Sequence, residues 1–163
     1  MLPRIENLNE KKLIGKRLKM SLANNRTGEL WASFMPMRKN ISNHLTNDLI
    51  SMQVYPSTHF SDFKPTNSFE KWATVEVSDF DNVPKDLEKF ILSGGLYVVF
   101  NYKGPSNYSS IFQYIFGTWL PNSDYVLDDR PHFEIIGEKY KNNDPTSEEE
   151  ILIPIRQNKN TSH

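Results

Sequence analysis

"LYVVFNYKGPSNYSSIFQYIFGTWLP" occupies residues 96–121, and its reading decides the fold. Leu96 to Phe100 is an unbroken run of aliphatic and aromatic residues, continued by Asn101, Tyr102 and Lys103, the composition of a strand. Lys103-Gly104-Pro105-Ser106-Asn107 breaks it, since Gly and Pro punctuate regular structure. Beyond the break, Ile111 and Ile115 fall on one stripe of a helix, and Phe112, Phe116 and Trp119 fall on the adjacent stripe. Pro121 stops that helix. The same order stands at residues 13–36, "LIGKRLKMSLANNRTGELWASFMP": a strand, a polar turn, and an aromatic-rich helix that meets a proline. The two stretches differ by about two residues in length.

Each stretch is followed by two further strand-like segments. In the first half these are 48–56, where Ile50, Met52 and Val54 alternate with Ser51, Gln53 and Tyr55, and 71–80. In the second half they are 130–140 and 148–155. A duplicated strand–helix–strand–strand unit follows, with pseudo-repeats at about 11–80 and 95–156. The predicted fold is α+β: one antiparallel sheet with two main helices, in a single domain over residues 1–156. The first helix is expected over about 28–42 from the spacing of Leu30, Phe34, Met37 and Ile41, with Pro36 kinking or ending it. Residues 57–69 and 122–129 read as loops, and 81–95 as a connector with a short helical turn. Residues 157–163 read as a disordered tail.

Composition narrows the function. The chain has 163 residues, 37% hydrophobic and 24% charged, with a net charge of −1. No basic block supplies the face that nucleic-acid binding needs, so direct nucleic-acid binding is not expected. There is no cysteine, which excludes disulfides, cysteine-held zinc and a thiol nucleophile. The N-terminus lacks an apolar signal region, and no apolar run approaches the roughly 20 residues of a membrane span. A cytoplasmic protein is expected. Aromatic content reaches 12%, from 10 Phe, 7 Tyr and 3 Trp, enough to line a pocket as well as fill a core.

The segment "RPHFEIIGEKY" (130–140) carries the residue of most interest. Alternation puts Phe133 and Ile135 on one face, with Arg130, His132, Glu134 and Ile136 on the other. Whether that second face meets water or a cleft is left open by alternation alone. Tyr55, Trp72 and Tyr97 each lie opposite aliphatic neighbours on their own strands, compatible with a shared aromatic floor or with ordinary packing. Trp31 and Trp119 lie on the helices at core-compatible spacing. Glu150 shares a face with Leu152, and the run Glu148-Glu149-Glu150 also suits a solvated strand start. Asp128, Asp129, His132 and Glu134 lack a defining metal-ligand spacing, so no metal and no cofactor are expected. His44 and His59 fall in loops, no Gly-x-Ser-x-Gly elbow occurs, and "SGG" before a strand is a turn rather than a phosphate loop.

Several motifs in order resemble the GyrI-like family, also called the AraC effector-binding domain. They are Gly95 and Tyr97, the run from Trp119 to Tyr125, Pro131 to Glu134, and Ile153 to Ile155. The resemblance is good over about 70–156 and rests on layout in the first half. It implies a duplicated fold with a ligand cleft between the halves, in a bacterial, transcription-regulator-related protein. Family domains are often fused to a DNA-binding helix-turn-helix, for which this chain has no room, so the stand-alone form is expected. The resemblance implies binding of bulky apolar, often cationic or aromatic small molecules, as in multidrug binding, with a glutamate matching Glu134. Together with the strand and helix reading above, the candidate ligand set is Glu134, Tyr55, Trp72, Tyr97, Trp119, Trp31 and Glu150. Some stand-alone members hydrolyse strained cyclopropane-containing genotoxins with a Glu and a Tyr, here Glu134 and Tyr97. A third expectation is an interaction module for gyrase or a regulator.

Overall fold

In chain order the elements are β1 (Arg4–Leu8), β2 (Lys11–Met20), α1 (Thr27–Phe34), β3 (Leu49–Val54), β4 (Phe69–Val77), β5 (Glu88–Leu92), β6 (Gly95–Lys103), α2 (Ser109–Tyr114), β7 (Tyr125–Leu127), β8 (His132–Ile136) and β9 (Glu148–Gln157). This computed structural model describes residues 2–105, 109–140 and 144–159. The unit β2–α1–β3–β4 recurs as β6–α2–β8–β9. All strand pairings are antiparallel, in the order β1-β6-β9-β8-β3-β4-β2-β5, with β7 pairing the end of β9. The two repeats therefore meet at the β3–β8 junction, where Ser51 faces Glu134 and Met52 faces Phe133.

Each helix covers its own repeat. Leu30 and Phe34 of α1 pack with Ile14 and Met20 of β2 and with Phe69, Ala73, Val75 and Val77 of β4. Ile111 of α2 and Ile115 beyond it pack with Val98 and Phe100 of β6 and Ile151, Ile153 and Ile155 of β9. The opposite face of the sheet is also buried, in a cluster of Leu13, Ile50, Met52, Trp72, Leu92, Tyr97, Val99, Phe133 and Leu152. That cluster joins strands from both ends of the strand order, so the sheet curls on its helix-free face. The β1–β2 and β5–β6 links touch there: a Cβ on Gly94 would lie 2.3 Å from the Leu8 carbonyl oxygen. Within β3 and β8 the helix clusters take in only Leu49 at the start of β3, which leaves a strip of sheet at the junction without a helix over it.

Local structure departs from the sequence reading in several places. Pro36 ends α1 early, and the chain continues as a 3-10 turn over Met35–Asn40. The N-cap position of α1 is Arg26, without a side-chain cap bond; just before it, the Asn25 Oδ1 accepts hydrogen bonds from the Thr27 backbone N–H (3.0 Å) and hydroxyl (2.6 Å). The helix after β6 finishes in a π turn, Ile115–Trp119. The connector 81–95 contains β5, and the loop 122–129 contains β7. β1 and β5 are edge strands with charged residues on a mostly exposed surface, so their alternation is weak; β7, with three residues, is too short to show a period. Gln157, read as tail, pairs with Tyr125 as the last residue of β9. The rest of the expected tail from residue 160 onward lies outside the described residues.

Candidate ligand-binding site

The uncovered strip at the β3–β8 junction is the floor of a cavity of about 700 Å³ between the two helices. Leu49, Ser51, Gln53 and Tyr55 rise from β3 and the residue after it, Lys71 from β4, and Glu134 and Ile136 from β8. Trp31 and Met35 line it from α1 and the following turn, Phe112 from α2, and Tyr140 from the segment after β8. Leu22 at the rim is 59% exposed and Met35 42%, so the entrance is apolar as well. A second, shallower hollow of about 520 Å³ shares Leu49, Ile136 and Tyr140 and extends the groove towards Arg38 and Asp48.

Glu134 is the centre of the floor. It is 3% exposed and accepts a hydrogen bond of 3.1 Å from the Gln53 amide. No cation lies within ion-pair distance of it among the described residues. Burial pushes its carboxyl above the usual carboxylate range, against the weaker opposing pull of the Lys71 charge and the Gln53 amide. Tyr55 stands beside it. Burial, and then the neighbouring Glu134 charge, push the Tyr55 hydroxyl well above the ordinary tyrosine value.

An aromatic cluster closes one end. The Tyr55 ring lies 4.5 Å from His59, 4.9 Å from Phe60, 5.1 Å from Phe69 and 4.8 Å from His132. Phe60 stacks on Phe116 at 5.7 Å and on His132 at 5.5 Å. Burial, reinforced by His59, pushes the His132 imidazole down to about 3, so the ring is neutral and packs as an aromatic. His59 is likewise lowered by burial, and its Nδ1 is buried without a partner among the described residues.

The seven residues expected at the site separate into three groups. Glu134, Tyr55 and Trp31 line one cavity. Trp72 and Tyr97 lie on the other face of the sheet. Register decides this, because directly paired residues share a face: Trp72 pairs with Met52, and Met52 with Phe133, the face opposite Glu134. Both faces of this sheet are apolar, so lying opposite one's aliphatic neighbours points to different faces in β3 and in β4. Glu150 is also on the far face, opposite Ile135, in an ion pair with Arg4. Trp119 is half-buried in the α2 cluster, edge-on to Phe100 at 5.7 Å and stacked on Tyr125 at 6.4 Å.

Tyr97 has a different task. Its hydroxyl donates to the Pro131 carbonyl at 3.0 Å, and the Arg130 guanidinium lies 4.7 Å from its ring centre. Arg130 pairs with Asp128 at 2.6 Å and donates to the carbonyls of Leu96 (2.6 Å) and Ile155 (3.0 Å). Burial lifts the Tyr97 hydroxyl to about 12, with Arg130 acting in the opposite direction. Gly95, at φ +138°, leaves the space Arg130 fills; a Cβ there would stand 2.6 Å from its Nη1. So this Gly-x-Tyr pair and Arg130 tie β6, β8 and β9 together beneath the cavity floor. Asp128 is held in this tie and does not join His132 and Glu134 in a ligand cluster.

Gln53, Ser51, Lys71, Phe112 and Tyr140 were not singled out from sequence. Ser51 and Gln53 carried a signal, as the polar side of a strand that ends in Tyr55. Lys71 carried none, because it shares parity with Ala73, Val75 and Val77.

The family model of the GyrI-like small molecule binding domain matches residues 1–156. The chain belongs to this family. Among solved structures, this GyrI-like domain is similar to the EcmrR C-terminal domain (TM-score 0.69, 18% identity, 97% of this chain and 100% of that one). It is similar to SAV2435 bound to tetraphenylphosphonium (TM-score 0.61, 14% identity, 96% and 94% covered). It is also similar to a hydrolase from Listeria innocua (TM-score 0.61, 13% identity, 94% and 91% covered). At these identities the likeness is one of fold. No curated protein matches the chain. Among the described residues, no helix is long and apolar enough to cross a membrane.

Proposed function

We propose that this GyrI-like domain binds bulky, apolar, cationic or aromatic small molecules in the cavity at the β3–β8 junction, and so senses, sequesters or detoxifies them. One observation carries the proposal: Glu134 is a buried carboxylate whose one hydrogen bond among the described residues comes from Gln53, at the base of an aromatic-lined cavity. Leaving a charge buried and unpaired is costly, and a ligand that brings a cation or N–H donor to it removes that cost. Trp31, Tyr55 and Phe112 supply flat apolar walls that suit aromatic or cationic groups. The cavity volume falls within the range of small-molecule sites. The ligand carried by SAV2435, tetraphenylphosphonium, has this chemistry.

Titration with a cationic aromatic dye such as rhodamine 6G tests the reading. Glu134→Gln should weaken binding by about 10–100-fold, the worth of a charge-assisted contact in a buried site. Unchanged affinity would remove Glu134 from its central place.

A second reading is favoured by the pairing of Glu134 with Tyr55. A buried carboxyl with a raised pKa suits a general acid or base, and the Tyr55 hydroxyl, with no hydrogen-bond partner among the described residues, stands beside it. In a hydrolase of strained electrophiles the partner tyrosine is then Tyr55, not Tyr97. Incubation with a cyclopropane-bearing substrate and mass analysis tests it; absence of a ring-opened, water-added product leaves binding alone.

A further inference from the structure

Among the described residues, Lys71 is the one cationic side chain that lines the main cavity. Several cations elsewhere on the sheet meet acids: Lys11 meets Glu76 at 3.5 Å, Arg17 meets Glu70 at 2.9 Å and Glu88 at 3.1 Å, and Arg130 meets Asp128 at 2.6 Å. Lys71 is half-buried, and among the described residues it forms no ion pair and donates no side-chain hydrogen bond. The register explains why it does not reach Glu134. Gln53 lies between them on β3, paired with Lys71 on one side and His132 on the other, while Glu134 is one pleat further along β8. Their strands are two spacings apart, roughly 10 Å. Gln53 gives its amide to Glu134 at 3.1 Å and so holds the carboxylate on its own side of the floor.

Resting on the reading of this cavity as a ligand site, we propose that Lys71 and Glu134 are its two poles and select amphoteric ligands. Such a ligand has a flat aromatic body, a cationic or N–H donor group towards Glu134, and a carboxylate or similar anionic acceptor towards Lys71. A purely cationic ligand of the same shape satisfies Glu134 but meets the Lys71 ammonium as a like charge, in a site where water screens little. An amphoteric ligand meets both charges with their complements.

Rhodamine 6G, an ester and a cation, and its free acid, a zwitterion on the same ring system, form a matched pair of probes. The intact chain should bind the free acid about tenfold more tightly than the ester. Lys71→Met, which keeps the length of the side chain, should abolish that preference and leave ester binding equal or stronger. Lys71→Arg should retain the preference, which shows that a folding defect is not the cause. A wild-type chain that binds both dyes without preference overturns the inference while leaving the cavity a ligand site. So does an equal weakening of both dyes by Lys71→Met, since Lys71 would then act only through Glu134. Failure of the wild type to bind either dye removes both the site reading and the inference.

Discussion

Glu134→Gln should make the ligand-free domain more stable at neutral pH. The replacement has the same shape, stays neutral, and keeps an oxygen to accept the Gln53 amide now at 3.1 Å. What it removes is the cost of holding a carboxylate at a position 3% exposed, with Lys71 too distant for an ion pair. That cost is on the order of 1–3 kcal/mol. In a chain of this size each kcal/mol moves Tm by about 2–4 °C. The direction with pH follows from the raised carboxyl. The native state holds the proton more tightly than the unfolded chain, so the stability linked to Glu134 is fully present below the unfolded pKa. It is lost as pH rises through the folded one. Urea unfolding of both proteins between about pH 4 and pH 8, spanning the ordinary carboxylate range and above, should show curves that converge in acid and diverge towards neutrality. A variant less stable than wild type at every pH would refute the reasoning, because the favourable pull of Lys71 and Gln53 on the carboxylate would then outweigh the cost of burial.

Three further outcomes follow from the geometry. Tyr97→Phe should cost about 0.5–1.5 kcal/mol in urea unfolding through loss of the bond to Pro131 and leave dye affinity unchanged, since the ring lies on the far face of the sheet. Gly95→Ala should destabilise more than Tyr97→Phe in the same assay, because it combines an unfavourable φ of +138° with a clash against Arg130. Dye binding should quench Trp31 fluorescence: Trp31→Phe should remove most of the quench, and Trp119→Phe should preserve it.

The sequence made the architecture legible because two strong strand–turn–helix stretches recur with the same punctuation. It also placed Glu134 opposite Phe133 and Ile135, which is where the structure puts it. What it did not reveal was which faces of different strands coincide. Trp72 and Tyr55 both lie opposite aliphatic residues, yet only Tyr55 reaches the cavity, because β4 buries its aliphatic side under α1 whereas β3 buries its own beneath the sheet. Such a distinction depends on long-range register, which no local pattern contains. Lys71 was hidden for the same reason. β1, β5 and β7 were missed because short edge strands owe their structure to partners distant in sequence.

Gly28 is the position that allows the most direct test of the cavity as the ligand site. It lines the cavity in the first turn of α1, and a Cβ added there meets no atom within 4 Å. Gly28→Trp should therefore fold normally and fill the space between the helices. Calorimetric titration with rhodamine 6G should give one binding site on the wild type and at least about a tenfold loss of affinity on the folded Gly28→Trp variant. Equal affinity in the two proteins would contradict the account, since the ligand would then bind somewhere other than the cavity at the β3–β8 junction.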